Sequence, residues 1–198
     1  MQLLKRYDSE PKRAFQHLLV YHIKAQFETN LFGAIRVMKA VLPIMRKQQV
    51  GTIVNLSSMG GRVALPLCPA YHGTKFALEG ISESMRFETD SFGVKVILIE
   101  PGTIRTNFLS NAKVGQKTAE PSSPYAPKLQ TMEKVWGPIF DQGTPTEQVA
   151  KVILNAVTAD NPSVRYMVGD DAVQMMQARK GMSDLEFEGL VKQRFFDQ

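Results

Sequence analysis

Val94-Lys-Val-Ile-Leu-Ile99 is the segment that most constrains the fold of this chain, because five of its six residues are apolar. A strand with one exposed face alternates apolar and polar residues, whereas a nearly continuous apolar run is typical of a strand covered on both faces. Such strands occur in parallel sheets that lie between helices. Pro101-Gly102 follows and predicts the end of the strand. The segment therefore predicts the buried strand of an α/β protein.

Two other segments have the composition of short strands. Thr52-Ile-Val-Asn-Leu-Ser57 follows Gly51 and is rich in β-branched and apolar residues, and residues 164–168 form a similar run. Helical periodicity occupies the rest of the chain around them. The predicted helices are residues 11–48, 69–91, 144–159, 171–180 and 183–196. This order of helices and strands predicts an α/β layered fold with about three parallel strands and flanking helices.

Local signals mark the ends of several predicted helices. Thr144-Pro-Thr-Glu147 and Ser183-Asp-Leu-Glu186 both have the pattern of a capping box at a helix N-terminus. Gly93 predicts a C-terminal stop, and Pro43 is expected to bend the first helix rather than end it. Residues 107–143 are rich in Pro, Ser, Gly and Lys, with a helical pattern only around residues 129–136. We expect this segment to be mostly irregular, either as a functional lid or as a disordered segment.

The composition narrows the possible functions. The net charge is +5, but no basic stretch is interleaved with stacking aromatic residues, so nucleic-acid binding is not predicted. Cys68 is the only cysteine, which excludes an internal disulfide. His17, His22 and His72 have no carboxylate or cysteine at ligand spacing and are interpreted as surface or helix-face residues, without metal. No signal peptide or membrane span is recognised, which predicts a cytoplasmic protein.

Tyr71 and Lys75 are the clearest candidates for catalytic residues. They are four residues apart in a predicted helix and therefore lie on the same face. A neighbouring ammonium lowers the pKa of a phenol from about 10 towards neutrality, where general acid/base catalysis is efficient. Ser58 follows the first predicted strand, at the end of the sheet where α/β proteins bind ligands. The three side chains could act on one carbonyl or hydroxyl group; alternatively, Ser58 is a turn residue and Tyr71 a helix-start aromatic.

Four motifs follow one another between about Phe27 and Phe108. They are Glu28-Thr-Asn-Leu-Phe-Gly33, Gly51-Thr-Ile-Val-Asn-Leu-Ser-Ser58, Tyr71-x-x-x-Lys75 followed by Phe-Ala-Leu-Glu-Gly80, and Pro101-Gly-Thr-Ile-Arg-Thr106. With these motifs the region resembles the short-chain dehydrogenase/reductase family. The resemblance implies a partial Rossmann-like parallel sheet and an oxidoreductase that interconverts an alcohol and a ketone or aldehyde with NAD or NADP. Gly61-Arg-Val-Ala-Leu-Pro66 is similar to the branch of the family that acts on lipophilic alcohols.

The resemblance also implies roles for individual residues. Asn30, Ser58, Tyr71 and Lys75 would form a catalytic tetrad. In it, Tyr71 would exchange the substrate proton and Ser58 would orient the substrate oxygen. Lys75 would lower the pKa of Tyr71 and bind the nicotinamide ribose, while Asn30 would hold a water of the proton relay. The cofactor-binding residues implied are Tyr71, Lys75, Pro101, Gly102, Thr103 and Thr106.

Residues 107–143 would form the substrate loop or lid of such an enzyme. Four of its side chains would make the pocket apolar, which predicts a small lipophilic alcohol or carbonyl compound as the substrate. These residues are Tyr125, Leu129, Met132 and Trp136.

The sequence departs from the family upstream of these motifs. It contains no Gly-x-x-x-Gly-x-Gly turn, and residues 1–22 do not resemble the family. We therefore predict an atypical extension at residues 1–22 and a truncated catalytic domain at residues 23–198, which lacks the first βαβ units. The first strand is then expected at an unpaired sheet edge.

Two functional interpretations follow. The first is a nicotinamide-dependent oxidoreductase of the short-chain type. The second is a non-catalytic, truncated relative that acts only as a dimerising or interaction module. In the family, helices such as residues 30–48 and 70–91 form a four-helix interface, so a homodimer or tetramer is expected in either case.

Overall fold

Three parallel strands form the central sheet of the computed structural model, which describes residues 14–108 and 116–196. The strand order is β1-β2-β3, with Ile53 of the first strand opposite Val96 and Leu98 of the second opposite Arg165. Within the described residues β1 has no partner on its outer side, as expected. The strands are Gly51–Leu56 (β1), Val94–Pro101 (β2) and Arg165–Val168 (β3).

The central strand β2 is buried on both faces, as its composition predicts. Every residue of β2 except Lys95 is buried. Val94 and Val96 pack into one apolar cluster, and Ile97 and Ile99 pack into another. Successive side chains of a strand point to opposite faces, so the apolar run serves two helical layers at once.

One face of the sheet is covered by helices from the first half of the chain. The predicted single helix at residues 11–48 is wrong: residues 11–13 lie outside the described part, and the extended backbone of Leu18 and Leu19 separates a 3-10 turn from the helix that follows. Neither residue is a helix breaker, so periodicity alone does not reveal this break. Pro43 remains inside its helix, as predicted. The elements are a 3-10 turn Phe15–His17, α1 Val20–Phe27, a π-helical turn Glu28–Phe32, α2 Gly33–Gln48 and α3 Pro69–Thr89.

Gly93 ends the segment after α3 with a left-handed φ of 67°, which glycine adopts without strain. The prediction of a C-terminal stop at this residue is confirmed. A 3-10 turn, Asp90–Phe92, lies between the helix and the glycine.

The opposite face of the sheet is covered by α6, Thr146–Thr158. The capping box predicted at residues 144–147 is wrong, because Pro145 is the N-cap and no side chain caps the helix. The backbone of Thr144 is held elsewhere: its N–H donates to Thr103 O at 2.9 Å and its carbonyl accepts from Arg105 N at 3.0 Å. Thr144 therefore belongs to a β-bridge beside β2 and not to the helix.

The remaining helices pack near the end of the sheet where β2 and β3 finish. The prediction of a mostly irregular segment at residues 107–143 is wrong for its second half, which forms the long helix α5. Pro127 lies in the first turn of that helix, where no amide hydrogen is needed, and buried Leu129 and Met132 anchor it. The elements are α4 Gln116–Ala119, α5 Ala126–Asp141, α7 Asp170–Gly181 and α8 Asp184–Phe195.

The capping box predicted at residues 183–186 is confirmed at the start of α8. Ser183 Oγ accepts from Glu186 N, and Glu186 Oε2 accepts from Ser183 N at 2.8 Å. Throughout the described ranges, every helix is too short or too polar to cross a bilayer.

Candidate active site

Ser58 lies where the carboxyl ends of two parallel strands meet. Its backbone follows β1, and Ser57 N donates to Ile99 O of β2 at 2.8 Å. Ser58 Oγ donates to Pro101 O at 3.4 Å and accepts from Gly60 N at 3.0 Å. The hydroxyl therefore bridges the turn after β1 and the end of β2, at the edge of the sheet where α/β proteins bind ligands.

Tyr71 and Lys75 lie at the start of α3, beside the same strand ends. Lys75 Nζ is 5.7 Å from the centroid of the Tyr71 ring. It also donates to Leu56 O, the last residue of β1, at 2.9 Å. This hydrogen bond places the ammonium between the tyrosine and the sheet, and Tyr71 itself is half-buried.

Gly60 joins the serine turn to the tyrosine helix by close packing. A Cβ at Gly60 would lie 3.1 Å from Tyr71 Cε1 and 2.9 Å from His72 Nδ1. The turn that contains Ser58 therefore rests directly against the ring of Tyr71. Three of the four predicted catalytic residues, Ser58, Tyr71 and Lys75, are thus brought to one edge of the sheet.

Asn30 reaches this region through an intermediate residue. It lies in the π-helical turn Glu28–Phe32, a local distortion that often occurs at functional sites. Its Nδ2 donates to Thr74 Oγ1 at 3.3 Å, and Thr74 Oγ1 donates to Tyr71 O at 2.7 Å. Asn30 is therefore linked to the backbone of the tyrosine, and its role with a water remains a prediction.

The turn Pro101–Thr106 continues the same edge beyond β2. Gly102 N donates to Val168 O of β3 at 2.8 Å, and Thr103 N donates to Asp171 Oδ2 at 2.6 Å. Thr103 is buried, and its Oγ1 has no hydrogen-bond partner in the described part of the chain. Thr106 is exposed and bonds locally to Ile104 O. The turn thus offers one buried, unused hydroxyl to a bound group.

Asp171 is a residue of this edge that sequence reasoning missed. It lies in the first turn of α7 and fixes the Pro101–Thr106 turn through the backbone of Thr103. One signal in the sequence could have indicated it. Asp171 is an acidic residue at the start of the helix after the third strand, where the helix dipole favours a carboxylate.

The contacts of His72 were also missed: it lies in helix α3, but on the buried face and not at the surface. The imidazole is buried, with Nδ1 2.8 Å from Gly60 O and Nε2 accepting from Leu65 N at 3.0 Å. Its ring meets that of Tyr71 edge-on, with centroids 5.6 Å apart. Burial lowers the pKa of His72 below its usual 6.5, although both backbone hydrogen bonds oppose this shift. The sequence carried no direct signal for these contacts.

A charged cluster lies farther along α3. Arg165 of β3 contacts Glu79 at 3.0 Å, Glu83 at 2.9 Å and Glu100 at 3.2 Å. Arg62 contacts Glu100 at 3.4 Å. Burial raises the pKa of Glu100 and the charge of Glu79 raises it further, while Arg62 and Arg165 oppose the shift. Glu79 and Glu83 continue the four-residue spacing of Tyr71 and Lys75, so the cluster holds the same ridge of α3 against the sheet.

Aromatic rings extend from Tyr71 towards the C-terminal helices. The Phe108 ring lies 6.0 Å from Tyr71 and stacks on Phe140 at 5.7 Å. Trp136 lies 5.5 Å from both Phe140 and Phe195. Of the predicted pocket residues, Trp136 therefore joins this aromatic row.

The other predicted pocket residues have different positions. Leu129 and Met132 are buried inside the protein, and Tyr125 borders an open apolar groove of about 600 Å³. The groove also has walls from His72 and Phe76 of α3. Nowhere in residues 14–108 and 116–196 do three His, Cys, Asp or Glu side chains group as metal ligands.

Comparison with known proteins identifies relatives of this chain. A family profile described as short chain dehydrogenase matches residues 10–117, more than half of the chain. An uncharacterized oxidoreductase of Schizosaccharomyces pombe is 42% identical over 161 residues, which cover 81% of this chain and 66% of that protein. A 3-ketodihydrosphingosine reductase of Bacteroides thetaiotaomicron is 34% identical over 157 residues, which cover 79% of this chain and 58% of that protein. The chain thus spans about two thirds or less of the length of these relatives.

Solved structures share the fold. A short-chain dehydrogenase from Streptomyces avermitilis has a TM-score of 0.71 and 28% identity, and the match covers 96% of this chain and 74% of that one. A short chain dehydrogenase from Burkholderia cenocepacia in complex with NADP has a TM-score of 0.61 at 21% identity, over 88% of this chain and 59% of that one. These matches confirm the predicted α/β, Rossmann-like sheet. Together with the sequence relatives, they establish that the chain belongs to the short-chain dehydrogenase family of oxidoreductases.

Proposed function

We propose that this protein interconverts an alcohol and a ketone or aldehyde with NAD or NADP, with Tyr71 as the general acid/base. The observation that carries the proposal is the contact of the Ser58 turn, the Tyr71 ring and the Lys75 ammonium at the carboxyl ends of β1 and β2. A bound carbonyl or hydroxyl oxygen at this edge could meet both a proton donor and a polarising hydroxyl. Family membership supports the reaction class.

The proposed proton transfer depends on the surroundings of Tyr71. Lys75 is kept near the ring by its hydrogen bond to Leu56 O, and a nearby ammonium favours the phenolate. The bond that Ser58 Oγ donates to Pro101 O is long at 3.4 Å, so a substrate oxygen can replace it as the acceptor. In the proposed mechanism Ser58 orients the substrate oxygen while Tyr71 gives or takes its proton. Asn30 is proposed to hold a water of the relay from its position beside Thr74.

The residues present fit the nicotinamide end of the cofactor. Thr103 offers a buried Oγ1 without a partner among the residues described, and Thr106 is exposed beside it in the same turn. We propose that Pro101, Gly102, Thr103 and Thr106, with Tyr71 and Lys75, hold this end of the molecule. When bound, the nicotinamide supplies the hydride acceptor or donor, which no side chain can replace.

A lipophilic substrate is supported by the row of rings beside Tyr71. Phe108, Phe140 and Trp136 present aromatic surface that continues from the tyrosine ring. Apolar pocket walls with few polar groups are typical of sites for lipophilic molecules. The similarity to a 3-ketodihydrosphingosine reductase supports the same substrate class. We propose that the described part of the predicted lid, residues 107–108 and 116–143, covers the bound substrate; residues 109–115 lie outside the described part of the chain.

The proposal is tested by turnover of long-chain ketones, including 3-ketodihydrosphingosine, with NADH and NADPH. Replacement Y71F removes only the ionisable hydroxyl and is expected to lower kcat by about 10²- to 10⁴-fold, the usual contribution of general acid/base catalysis. Replacement Y21F is the matched control, because Tyr21 is an exposed residue of α1. Turnover that persists in Y71F would overturn the proposed mechanism.

A second candidate function is a non-catalytic dimerising module. The exposed apolar side chains Phe32, Val37 and Ile44 lie along the π-turn and α2, and Phe76 and Ile81 lie along α3. Covering such surface favours association, and we propose that a homodimer or tetramer forms through residues 30–48 and 70–91. Sedimentation of the purified chain tests the assembly: a monomer at micromolar concentration contradicts it. Dimerisation without binding of either nicotinamide at millimolar concentration would favour this function over catalysis.

A further inference from the structure

We propose that His72 is a positioning residue that holds the turn from Ser58 to Leu65 against Tyr71. The inference rests on the proposed function, because it assigns importance to the placement of Ser58 beside the tyrosine. Its evidence is separate, since it comes from the contacts of the imidazole and not from those of the phenol or ammonium.

Both ring nitrogens of His72 bond to the backbone of the same turn. Nδ1 lies 2.8 Å from Gly60 O, and Nε2 accepts from Leu65 N at 3.0 Å. A carbonyl can only accept and an amide N–H can only donate, so the two partners require a neutral ring that carries its proton on Nδ1. The imidazole therefore links two points of the turn, Gly60 and Leu65, to α3. It does so from the residue that follows Tyr71 in the sequence.

The turn is also anchored by the buried side chains of Met59, Val63 and Leu65. The bonds from His72 add to this by fixing the backbone of the turn where it lies against Tyr71. Ser58 Oγ accepts from Gly60 N within the turn, and its bond to Pro101 O is long at 3.4 Å. Gly60 packs between the His72 and Tyr71 rings, so a shift of its backbone would change the contact with both. Movement of Gly60 would also move Ser58, two residues earlier. His72 thus acts on the proposed chemistry through the serine that orients the substrate.

The same contact shapes a wall of the open groove. Leu65 and His72 both line the apolar groove of about 600 Å³. Leu67, also in that wall, has a left-handed φ of 62°, which is strained for a non-glycine residue. The bond from Leu65 N to the imidazole fixes the backbone two residues before this strained position. Loss of the ring bonds is therefore expected to loosen residues 60–67 as one segment.

Three variants separate the two bonds. H72F keeps a buried ring and removes both hydrogen bonds. H72N keeps an amide near the position of Nδ1, so it can still donate to Gly60 O, whereas H72Q places a carbonyl near the position of Nε2 for Leu65 N. H17F is the matched control, because His17 is a half-buried histidine away from the turn that bonds to Thr118 and contacts Tyr125.

Amide hydrogen exchange and ¹⁵N NMR of the imidazole test the contacts without any turnover. The expected spectrum of the unaltered protein shows a protonated Nδ1 and an unprotonated Nε2. In H72F the Leu65 amide is expected to exchange at least about tenfold faster, as local opening becomes easier. H72Q should restore protection at Leu65 and H17F should leave it unchanged. A protonated Nε2, or full protection of Leu65 in H72F, overturns the proposal.

Turnover adds the functional readout. A misplaced catalytic group can cost about 10²-fold, so kcat of H72F is expected to fall by about that factor, with KM for the nicotinamide within about twofold. Turnover retained in H72F overturns the positioning role, even if the contacts are as described. Turnover retained in Y71F instead overturns the proposed function and leaves the exchange result to stand.

Discussion

Two buried polar clusters fix α3 to the rest of the molecule, and they do so by opposite means. Near the start of the helix, neutral His72 bonds to two backbone groups of one turn. Farther along the helix, Arg165 of β3 forms ion pairs with Glu79 of α3 and Glu100 of β2. The first cluster satisfies both ring nitrogens, whereas the second leaves Glu79 Oε1 without a hydrogen-bond partner among the described residues.

The difference shows how each cluster responds to change. A neutral ring with satisfied nitrogens costs little to bury, and its loss leaves only two backbone groups without their side-chain partner. A buried ion pair gains little overall, but removing one partner leaves an uncompensated charge in a poorly solvated site. The charged cluster should therefore be the more sensitive of the two to a single substitution, and the neutral one the more sensitive to mild acid.

The largest effect is expected for R165M. It leaves Glu79 and Glu100 buried, with Arg62 still in contact with Glu100, and should lower the free energy of unfolding by about 3 kcal/mol. Urea unfolding measures this loss. R179M is the control, because the pair of Arg179 with Asp184 is exposed and should contribute less than about 1 kcal/mol. Equal losses in the two variants would remove the contrast between an arginine paired with buried carboxylates and one paired with an exposed carboxylate.

H72F should have the next largest effect on stability. It leaves Leu65 N–H and Gly60 O buried without their side-chain partner, which should cost about 1–3 kcal/mol in the free energy of unfolding. Urea unfolding beside H17F provides the comparison. A loss as large as that of R165M would show that the neutral cluster is no easier to break than the charged one.

The pH dependence of stability should have opposite signs for the two clusters. Burial lowers the pKa of His72 in the folded protein below 6.5, so the unfolded chain takes up the proton first as the pH falls. The His72 contribution is therefore complete above pH 6.5 and is lost below it. Urea unfolding from about pH 7.5 down to about pH 5 is expected to show this decline in the free energy of unfolding of the unaltered protein. H72F should flatten it, and an unchanged slope would contradict the assignment.

Glu100 should behave in the other direction. Burial and Glu79 raise the pKa of Glu100 above 4.5 in the folded protein, so the folded state holds the proton to higher pH than the unfolded chain does. Its favourable contribution is complete below pH 4.5 and is lost as the pH rises through the folded pKa. The isosteric variant E100Q should remove this loss, which is measured by unfolding at increasing pH. If E100Q instead steepens the loss, the two arginines outweigh burial.

The smallest effect is expected for an ion pair on the surface. Glu188 and Lys192 are four residues apart on α8, and both side chains are more than half exposed. E188Q should change the free energy of unfolding by no more than about 0.5 kcal/mol, and added salt should erase the difference. Thermal or urea unfolding at low and high salt checks this. A loss of stability near that of R165M would mean that exposed and buried ion pairs contribute equally to the stability of this protein.

Local patterns predicted much of the fold. The apolar run of β2, the glycine stop at Gly93 and the capping box at Ser183 depend on near neighbours in the chain, and each is confirmed. The capping box predicted at Thr144 does not form, because the backbone of Thr144 is hydrogen-bonded to Thr103 and Arg105 of another segment. The break at Leu18 and Leu19 also had no local signal.

The candidate site divides along the same line. Tyr71 and Lys75 are related by one helical turn, so their shared face follows from spacing alone. The contact of Ser58 with Pro101 joins residues 43 apart, and that of Thr103 with Asp171 joins residues 68 apart. The strand pattern predicts that the ends of parallel strands meet at one edge, but it does not predict which side chains form contacts across that edge.

Sequence alone was enough to establish the family, the parallel sheet and the tyrosine–lysine pair, because these depend on periodicity and on motifs of fixed spacing. The tertiary structure decided the partners of His72, Asp171 and Arg165. A histidine has the same local signature on a surface as in a core, and only the approach of Gly60 and Leu65 makes it a buried bridge. Burial and partners across the fold are physical properties of the assembled chain, and no short window of residues contains them.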